Sequence, residues 1–263
     1  LWTKKLVYSI SSLQKQVKSG LNNMDEKSLI THVLENDKYN VIDKRDVNVY
    51  SIDPENSRDL DDAFSIEQVN DDQYKMSIYI ANVPIVLDCY DLWEHLTHRI
   101  STIYLPEERR TMLPEILSDN ICSLLEDKER FAFTMEVLYD GNTKEILPNS
   151  ISFYNSLICV KKNYVYEEKS LLKSRDYKQL YHITKQLDAN TQDSHDVISY
   201  WMIYMNTQSA KLLYDRKCGL FRKIQVYEKH IQHNIDDKDI KQTVSMWNNI
   251  SSGYVLYNEN ESV

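Results

Sequence analysis

Between residues 47 and 154 the apolar positions recur every second residue. In YKMSIYIANV (74–83) Met76, Ile78 and Ile80 alternate with Lys75, Ser77 and Tyr79, the period of a half-buried strand. VNVYSI (47–52), FAFTMEVLY (131–139) and EILPNSISFY (145–154) predict three more strands, and DLWEHLTHRI (91–100) has helical spacing. From about residue 176 the period lengthens to three or four: DYKQLYHITKQLDAN (176–190), SHDVISYWMIYMNTQSAKLLYDR (194–216) and DKDIKQTVSMWNNI (237–250) predict helices. Strands followed by helices predict an α+β fold, a mixed or antiparallel sheet packed by helices. Residues 1–45 are polar and partly helical in pattern, a lead-in to a unit expected over 46–263.

Composition narrows this reading. The 263 residues are 42% hydrophobic and 27% charged, enough for a real core, and no apolar run approaches the length of a membrane span. The chain does not begin with Met, so it is expected to be a segment of a longer protein or a processed one. Cys89, Cys122, Cys159 and Cys218 are too far apart for a CxxC pair, which predicts reduced thiols in an intracellular protein. A net charge of −9 argues against a broad electrostatic grip on nucleic acid, but not against a site that admits one strand.

The strongest local signal is SIDPENSRDLDDAF (51–64), which sets Asp53, Asp59, Asp61 and Asp62 in one short loop. Two unit charges about 5 Å apart at an effective dielectric near 20 repel by roughly 3 kcal/mol. By spacing alone the loop is either a solvated acidic surface or a cation site. A calcium EF-hand starting at Asp59 is excluded, because its sixth and twelfth positions would be Phe64 and Asn70 in place of Gly and Glu. Magnesium, held by a few carboxylates with water and phosphate completing its shell, suits the pattern better. Elsewhere His95, His98 and Glu94 match no zinc motif, and Trp201, Met202 and Met205 read as core filling.

Six further motifs follow the aspartate loop in order: Arg99 to Pro106 (RISTIYLP), Met112 to Leu124 (MLPEILSDNICSL), and Glu129 to Ala132 (ERFA), then NYVYEE (163–168), WMIYMNTQSAKLL (201–213) and GLFRK (219–223). With the loop itself, this combination resembles the catalytic domain of the ribonuclease II (RNB) family, over about residues 45 to 257. The resemblance implies a Mg2+-dependent 3′-to-5′ exoribonuclease that hydrolyses single-stranded RNA to nucleoside 5′-monophosphates with two metal ions. It implies that Asp53, Asp59, Asp61 and Asp62 are the catalytic and metal-holding residues. Tyr104 and Tyr166 would contact the last nucleotides, and Arg222 is a candidate RNA contact. A helicase or a larger RNA-processing complex is the implied partner class, with no membrane role.

The sequence also departs from the family. Ser199 and Tyr200 stand where most members have a glutamate pair that reaches the terminal ribose, which leaves the preference for RNA over DNA open. The segment from Asp188 to Val197 is short, and the family's arginine-rich Ser-Pro-Ile-Arg-Arg motif is not found before Val263, so the domain is expected to be incomplete at its C-terminus. The rival reading is a degenerate RNB-fold protein that acts as an RNA-binding or assembly subunit.

Overall fold

The computed structural model describes residues 26–93, 102–104, 109–226 and 250–258. The strands are β1 (Ile42–Asp43), β2 (Val49–Asp53), β3 (Asp62–Gln68), β4 (Gln73–Ala81), β5 (Ile103–Tyr104), β6 (Arg109–Arg110), β7 (Glu129–Asp140), β8 (Glu145–Ile146), β9 (Ser152–Val165), β10 (Leu220–Val226) and β11 (Ile250–Leu256). The α-helices are α1 (Glu26–Glu35), α2 (Val83–Cys89), α3 (Lys169–Lys173), α4 (Arg175–Leu187) and α5 (Ser194–Asp215). The chain divides into two compact units, Leu1–Trp201 and Met202–Val263.

In the first unit seven strands run in the order β1-β9-β2-β3-β4-β7-β8, and β9 also pairs with β7. Strands β2, β3, β4, β7 and β9 therefore close into a barrel. β9 runs parallel to β2, with Asp53 opposite Val165, and antiparallel to β7, with Phe131 opposite Leu157. Closure removes the open edges that a five-stranded sheet would otherwise expose. It also buries β2 and β3 on both faces, so they do not alternate as a half-exposed strand would.

The predicted α+β class holds, with local revisions. The spans predicted near β2, β4 and β7 are observed. The single strand expected over 145–154 is two: Pro148 interrupts it, Leu147 N–H bonds back to Leu138 O, and β9 then runs on for 14 residues. Strand β3 and the short helix α2 were not expected. Of the helix expected over 91–100, only residues 91–93 are described, and they are not α-helical. The helix expected over 237–250 lies outside the described residues except for Ile250, which begins β11.

Two apolar clusters hold the unit. One packs Leu29 and Val33 of α1 with Ile85, Val86 and Leu87 of α2, and with Leu117, Ile121, Phe131 and Leu157. The other gathers Val49, Leu60, Ala63, Tyr79, Leu124, Ala132, Ile158 and Val160. Two pairs of buried hydroxyls bond to each other within the sheet: Ser65 with Tyr79 at 2.9 Å, and Thr134 with Ser156 at 2.6 Å.

Helix α4 is capped by Ser174, whose hydroxyl accepts from Tyr177 N–H at 3.4 Å. Helix α5 opens with a reciprocal box: Asp193 Oδ1 accepts from Asp196 N–H (3.1 Å), and Asp196 Oδ2 accepts from Gln192 N–H (2.7 Å). In the second unit β10 and β11 form an antiparallel ribbon with Arg222 opposite Tyr254. Gly219 precedes the ribbon at φ 118°, a conformation that side-chain-bearing residues rarely adopt.

Trp201 is fully buried, and its indole N–H donates to Thr184 Oγ1 at 2.9 Å. Trp201→Ala is expected to cost about 3–5 kcal/mol, the usual loss for a large buried aromatic. Urea unfolding followed by far-UV circular dichroism checks this, and a midpoint equal to the parent's would contradict the packing described.

Candidate active site

The aspartate loop is built from the ends of two barrel strands. Asp53 is the last residue of β2, Asp62 is the first of β3, and Asp59 and Asp61 lie between them. Pro54 follows Asp53 directly, and Asn56 takes a positive φ of 66°, so the chain reverses sharply. The return limb is held by the segment 123–130. Ser123, fully buried, donates its hydroxyl to Arg58 O (2.9 Å) and accepts from Leu60 N–H (3.0 Å), while Leu124 N–H donates to Leu60 O (2.9 Å). Arg130, only 4% exposed, donates its Nε–H to Ser123 O at 2.9 Å. On the far side Ala81 N–H donates to Asp61 O at 2.8 Å. The family-like runs that end at Leu124 and begin at Glu129 are thus the clamp for the acidic loop.

The carboxylates themselves have few donors. Ser51, two residues before Asp53 on β2 and hence on the same face, donates to Asp53 Oδ2 at 2.6 Å. Asn163 Nδ2 donates in turn to Ser51 Oγ (2.8 Å) and to Leu124 O (2.9 Å), joining the loop to β9. Asp62 Oδ2 is buried with no hydrogen-bond partner. Burial first, then Asp53 and Asp61, pushes the Asp62 carboxyl up to about 7. Burial raises Asp53 to about 6 against the Ser51 hydrogen bond, with Asp61 and Asp59 adding to the rise. Asp61, the most open of the three, is also raised, by burial and by Asp59.

Tyr166 follows β9, and its amide donates to Asp53 O at 3.2 Å. Burial pushes its phenol up to about 12, with the charges of Asp62 and Asp53 contributing, so the ring stands beside the acidic loop. The structure therefore brings five of the seven residues singled out from the sequence together: Asp53, Asp59, Asp61, Asp62 and Tyr166. Tyr104 is placed only through its backbone, opposite Arg109 in the β5–β6 pair. Arg222 is exposed on the ribbon of the second unit. The sequence reading missed Ser51, Ser123 and Asn163. Ser51 carried a signal, since residues i and i+2 of a strand share a face; Ser123 and Asn163 lie in the MLPEILSDNICSL and NYVYEE runs, but nothing local shows that these remote segments reach the loop.

Among the described residues, no three His, Cys, Asp or Glu side chains are gathered tightly enough to form a ready-made metal cage. The loop nevertheless fits a cation, since it holds an orphaned buried carboxylate oxygen among carboxyls raised by burial and then by neighbouring aspartates. A few carboxylates in a loose set match magnesium, which keeps much of its water, better than a rigid all-protein cage. What the fold and this loop define is a barrel domain with an acidic rim.

Comparison with known proteins gives that class its family. The RNB domain family model matches residues 41–188, over half of the chain, and the chain belongs to the RNB domain family. It is 38% identical over 124 residues, 46% of the chain, to Ribonuclease R of Mycoplasmopsis pulmonis. It is 30% identical over 198 residues, 70% of the chain, to Ribonuclease R of Ureaplasma parvum. The exosome complex exonuclease RRP44 of Homo sapiens is 32% identical over 140 residues, 53% of the chain. These matches span only 17%, 26% and 14% of the respective relatives. Among solved structures, an active-site mutant of the Dss1 exoribonuclease from Candida glabrata superposes with a TM-score of 0.62 at 17% identity, over 87% of this chain and 38% of that one. Yeast Ssd1, a pseudonuclease, superposes equally well, with a TM-score of 0.62 at 13% identity, over 84% of this chain and 36% of that one. At these identities both show the fold alone. No helix among the described residues is long and apolar enough to cross a membrane.

The raised carboxyls make a signed pH prediction. Asp53 and Asp62 titrate higher in the folded chain than the ordinary aspartate value near 3.9, so the folded state binds more protons over that interval. Their contribution is fully present below about pH 4 and is lost as pH rises through about 6 to 7. With chelator present, Asp62→Asn should therefore gain thermal midpoint relative to the parent as pH rises from about 5 to about 8. Each 1 kcal/mol corresponds to roughly 2–4 °C in a chain of this size. Parallel midpoint curves for the two proteins would refute the raised value for Asp62.

Proposed function

We propose that this chain is the catalytic domain of a Mg2+-dependent 3′-to-5′ exoribonuclease that hydrolyses single-stranded RNA to nucleoside 5′-monophosphates. The observation that carries this reading is the buried carboxylate pair Asp53 and Asp62, with its orphaned oxygen, at the rim beside Tyr166. A group that is costly to bury and lacks donors has a chemical use when a cation joins it. Asp53, Asp59, Asp61 and Asp62 would hold the metal. When bound, divalent ions lower the pKa of water and offset charge growing on the phosphate and the leaving oxygen. The Ser123 clamp and the Asn163–Ser51 pair hold the carboxylates in place against their repulsion. Tyr166, anchored to Asp53 through its backbone, would meet the terminal nucleotide, Tyr104 the reacting end, and Arg222 the strand.

Non-specific digestion needs contacts to sugar, phosphate and base faces, and aromatic rings supply those without reading sequence. The physiological partners would be single-stranded RNA and, by analogy with the exosome relative, a larger RNA-processing assembly or a helicase inside the cell. A second reading has its own support: Ser199 and Tyr200 replace glutamates of the family pattern, and a pseudonuclease shares the fold. In that reading the chain binds RNA or a partner protein without turnover.

Asp61→Asn separates the two. For the nuclease, hydrolysis of a 5′-labelled oligoribonucleotide with Mg2+ is expected to vanish, while binding stays within about threefold, because one carboxylate serves the reacting phosphate and contributes little to the grip. A complete protein, carrying the arginine-rich motif that residues 1–263 lack, that binds RNA but releases no mononucleotides supports the degenerate reading. An Asp61→Asn variant as fast as the parent would end the two-metal mechanism.

A further inference from the structure

The turn after β9 and the first turn of α5 are joined twice, at adjacent residues. Glu167 takes a positive φ of 57°, a conformation that is unfavourable for a non-glycine residue unless partners hold it. Ser194 is that partner. The Glu167 carboxylate accepts from the Ser194 amide (2.7 Å) and hydroxyl (2.5 Å), and the Glu167 amide donates to Ser194 Oγ (3.3 Å). One residue before Glu167 and one after Ser194, the rings of Tyr166 and His195 lie face to face. Their centroids are 3.7 Å apart and their planes differ by 9°.

This contact is not core packing. His195 is exposed, so burial contributes little to placing its ring. What the stack does is cover one face of Tyr166, whose backbone is already tied to Asp53 O at 3.2 Å. The tyrosine is thus fixed from three sides: its amide by Asp53, the following residue by Ser194, and its ring by His195. A tyrosine at a turn that lacked the third constraint would keep more than one ring orientation and would have to be ordered at each encounter with substrate.

We propose that His195 is a positioning residue for Tyr166: its imidazole, stacked on the phenol and anchored through the Glu167–Ser194 clasp, holds the ring in the one orientation that faces the Asp53/Asp62 rim. The inference rests on the nuclease reading, since it gives Tyr166 a task at the end of the strand. It also assigns that task more narrowly. With one face taken by His195, Tyr166 meets RNA through its hydroxyl edge and its other face, and it is not sandwiched between two bases. A group that orients another acts on the reacting geometry more than on overall grip, so the effect belongs in turnover.

The test uses the complete protein with excess Mg2+ and a single-stranded oligoribonucleotide, followed by single-turnover kinetics and equilibrium binding. His195→Ala is expected to slow hydrolysis roughly tenfold with affinity changed by less than about threefold, and His195→Phe, which keeps a stacking ring, to recover most of the rate. In a Tyr166→Ala background His195→Ala should cost nothing further, since the two act as one unit. Because His195 is exposed, the unfolding midpoint of the single variant should match the parent's. A spectroscopic arm is independent of turnover: with 3-fluorotyrosine incorporated, the fluorine resonance that Tyr166→Phe removes should shift in His195→Ala. Parent-like hydrolysis by His195→Ala, an equal loss in the Tyr166→Ala background, or an unmoved fluorine resonance would overturn the assignment while the nuclease reading stands. A parent chain that releases no nucleotides would overturn the nuclease reading and the assignment with it, whatever the resonance does.

Discussion

Keeping several carboxylates together out of water is the constraint on which the rest of the first unit depends. Asp53 and Asp62 are raised by burial and by the charges of neighbouring aspartates of the loop, so the loop would spread apart if its backbone were free to move. It is not free. Each limb begins or ends in a barrel strand, and the middle is pinned at Arg58, Leu60 and Asp61 by hydrogen bonds from Ser123, Leu124 and Ala81. Ser123 is in turn held by Arg130, whose guanidinium also donates to Asn120 O at 3.1 Å. Repulsion is thus opposed in large part through neutral backbone groups of the loop.

Barrel closure supplies the second half of the site. Because β9 pairs with both β2 and β7, its end is carried alongside the end of β2, and Val165 stands opposite Asp53. The next residue, Tyr166, then reaches Asp53 O with its amide. The parallel β2–β9 pair, joined by a long connection, is the non-local contact that puts residues 53 and 166 side by side.

The legible parts of the sequence were those with a local period or a local motif. Met76, Ile78 and Ile80 announced β4, and helices α4 and α5 showed apolar spacing of three to four. The four aspartates were legible as a cluster because they sit within ten residues of one another. Strand β3 was not, for a physical reason: it starts at Asp62, and aspartate is depleted in strands, so the acidic run masked its beginning. Most of β9 was hidden by Lys161, Lys162 and Asn163, polar residues that serve in cross-strand contacts rather than in a core. Lys162, for example, pairs with Glu126 at 3.0 Å. His195 was legible only as one residue of a helix, since its partner lies 29 positions earlier, and stacking leaves no periodic trace.

The remaining carboxylates show why the loop is distinct in kind as well as in number. Asp43 is held below its ordinary value by the Arg45 guanidinium. Asp88 is held low by Lys38 and Trp93, and Glu126 by the Asn163 amide and Lys162. Glu167 is lowered by the hydroxyl and amide of Ser194. Each has donors that favour its charge, and each serves as a strut. Asp53 and Asp62 shift in the opposite direction because they have burial and like charges, with one serine hydroxyl between them. The same chain thus satisfies an acid wherever the acid holds the fold together, and withholds donors where the loop meets the rim. The shortage of donors at Asp53 and Asp62 sets these two apart from the carboxylates that act as struts.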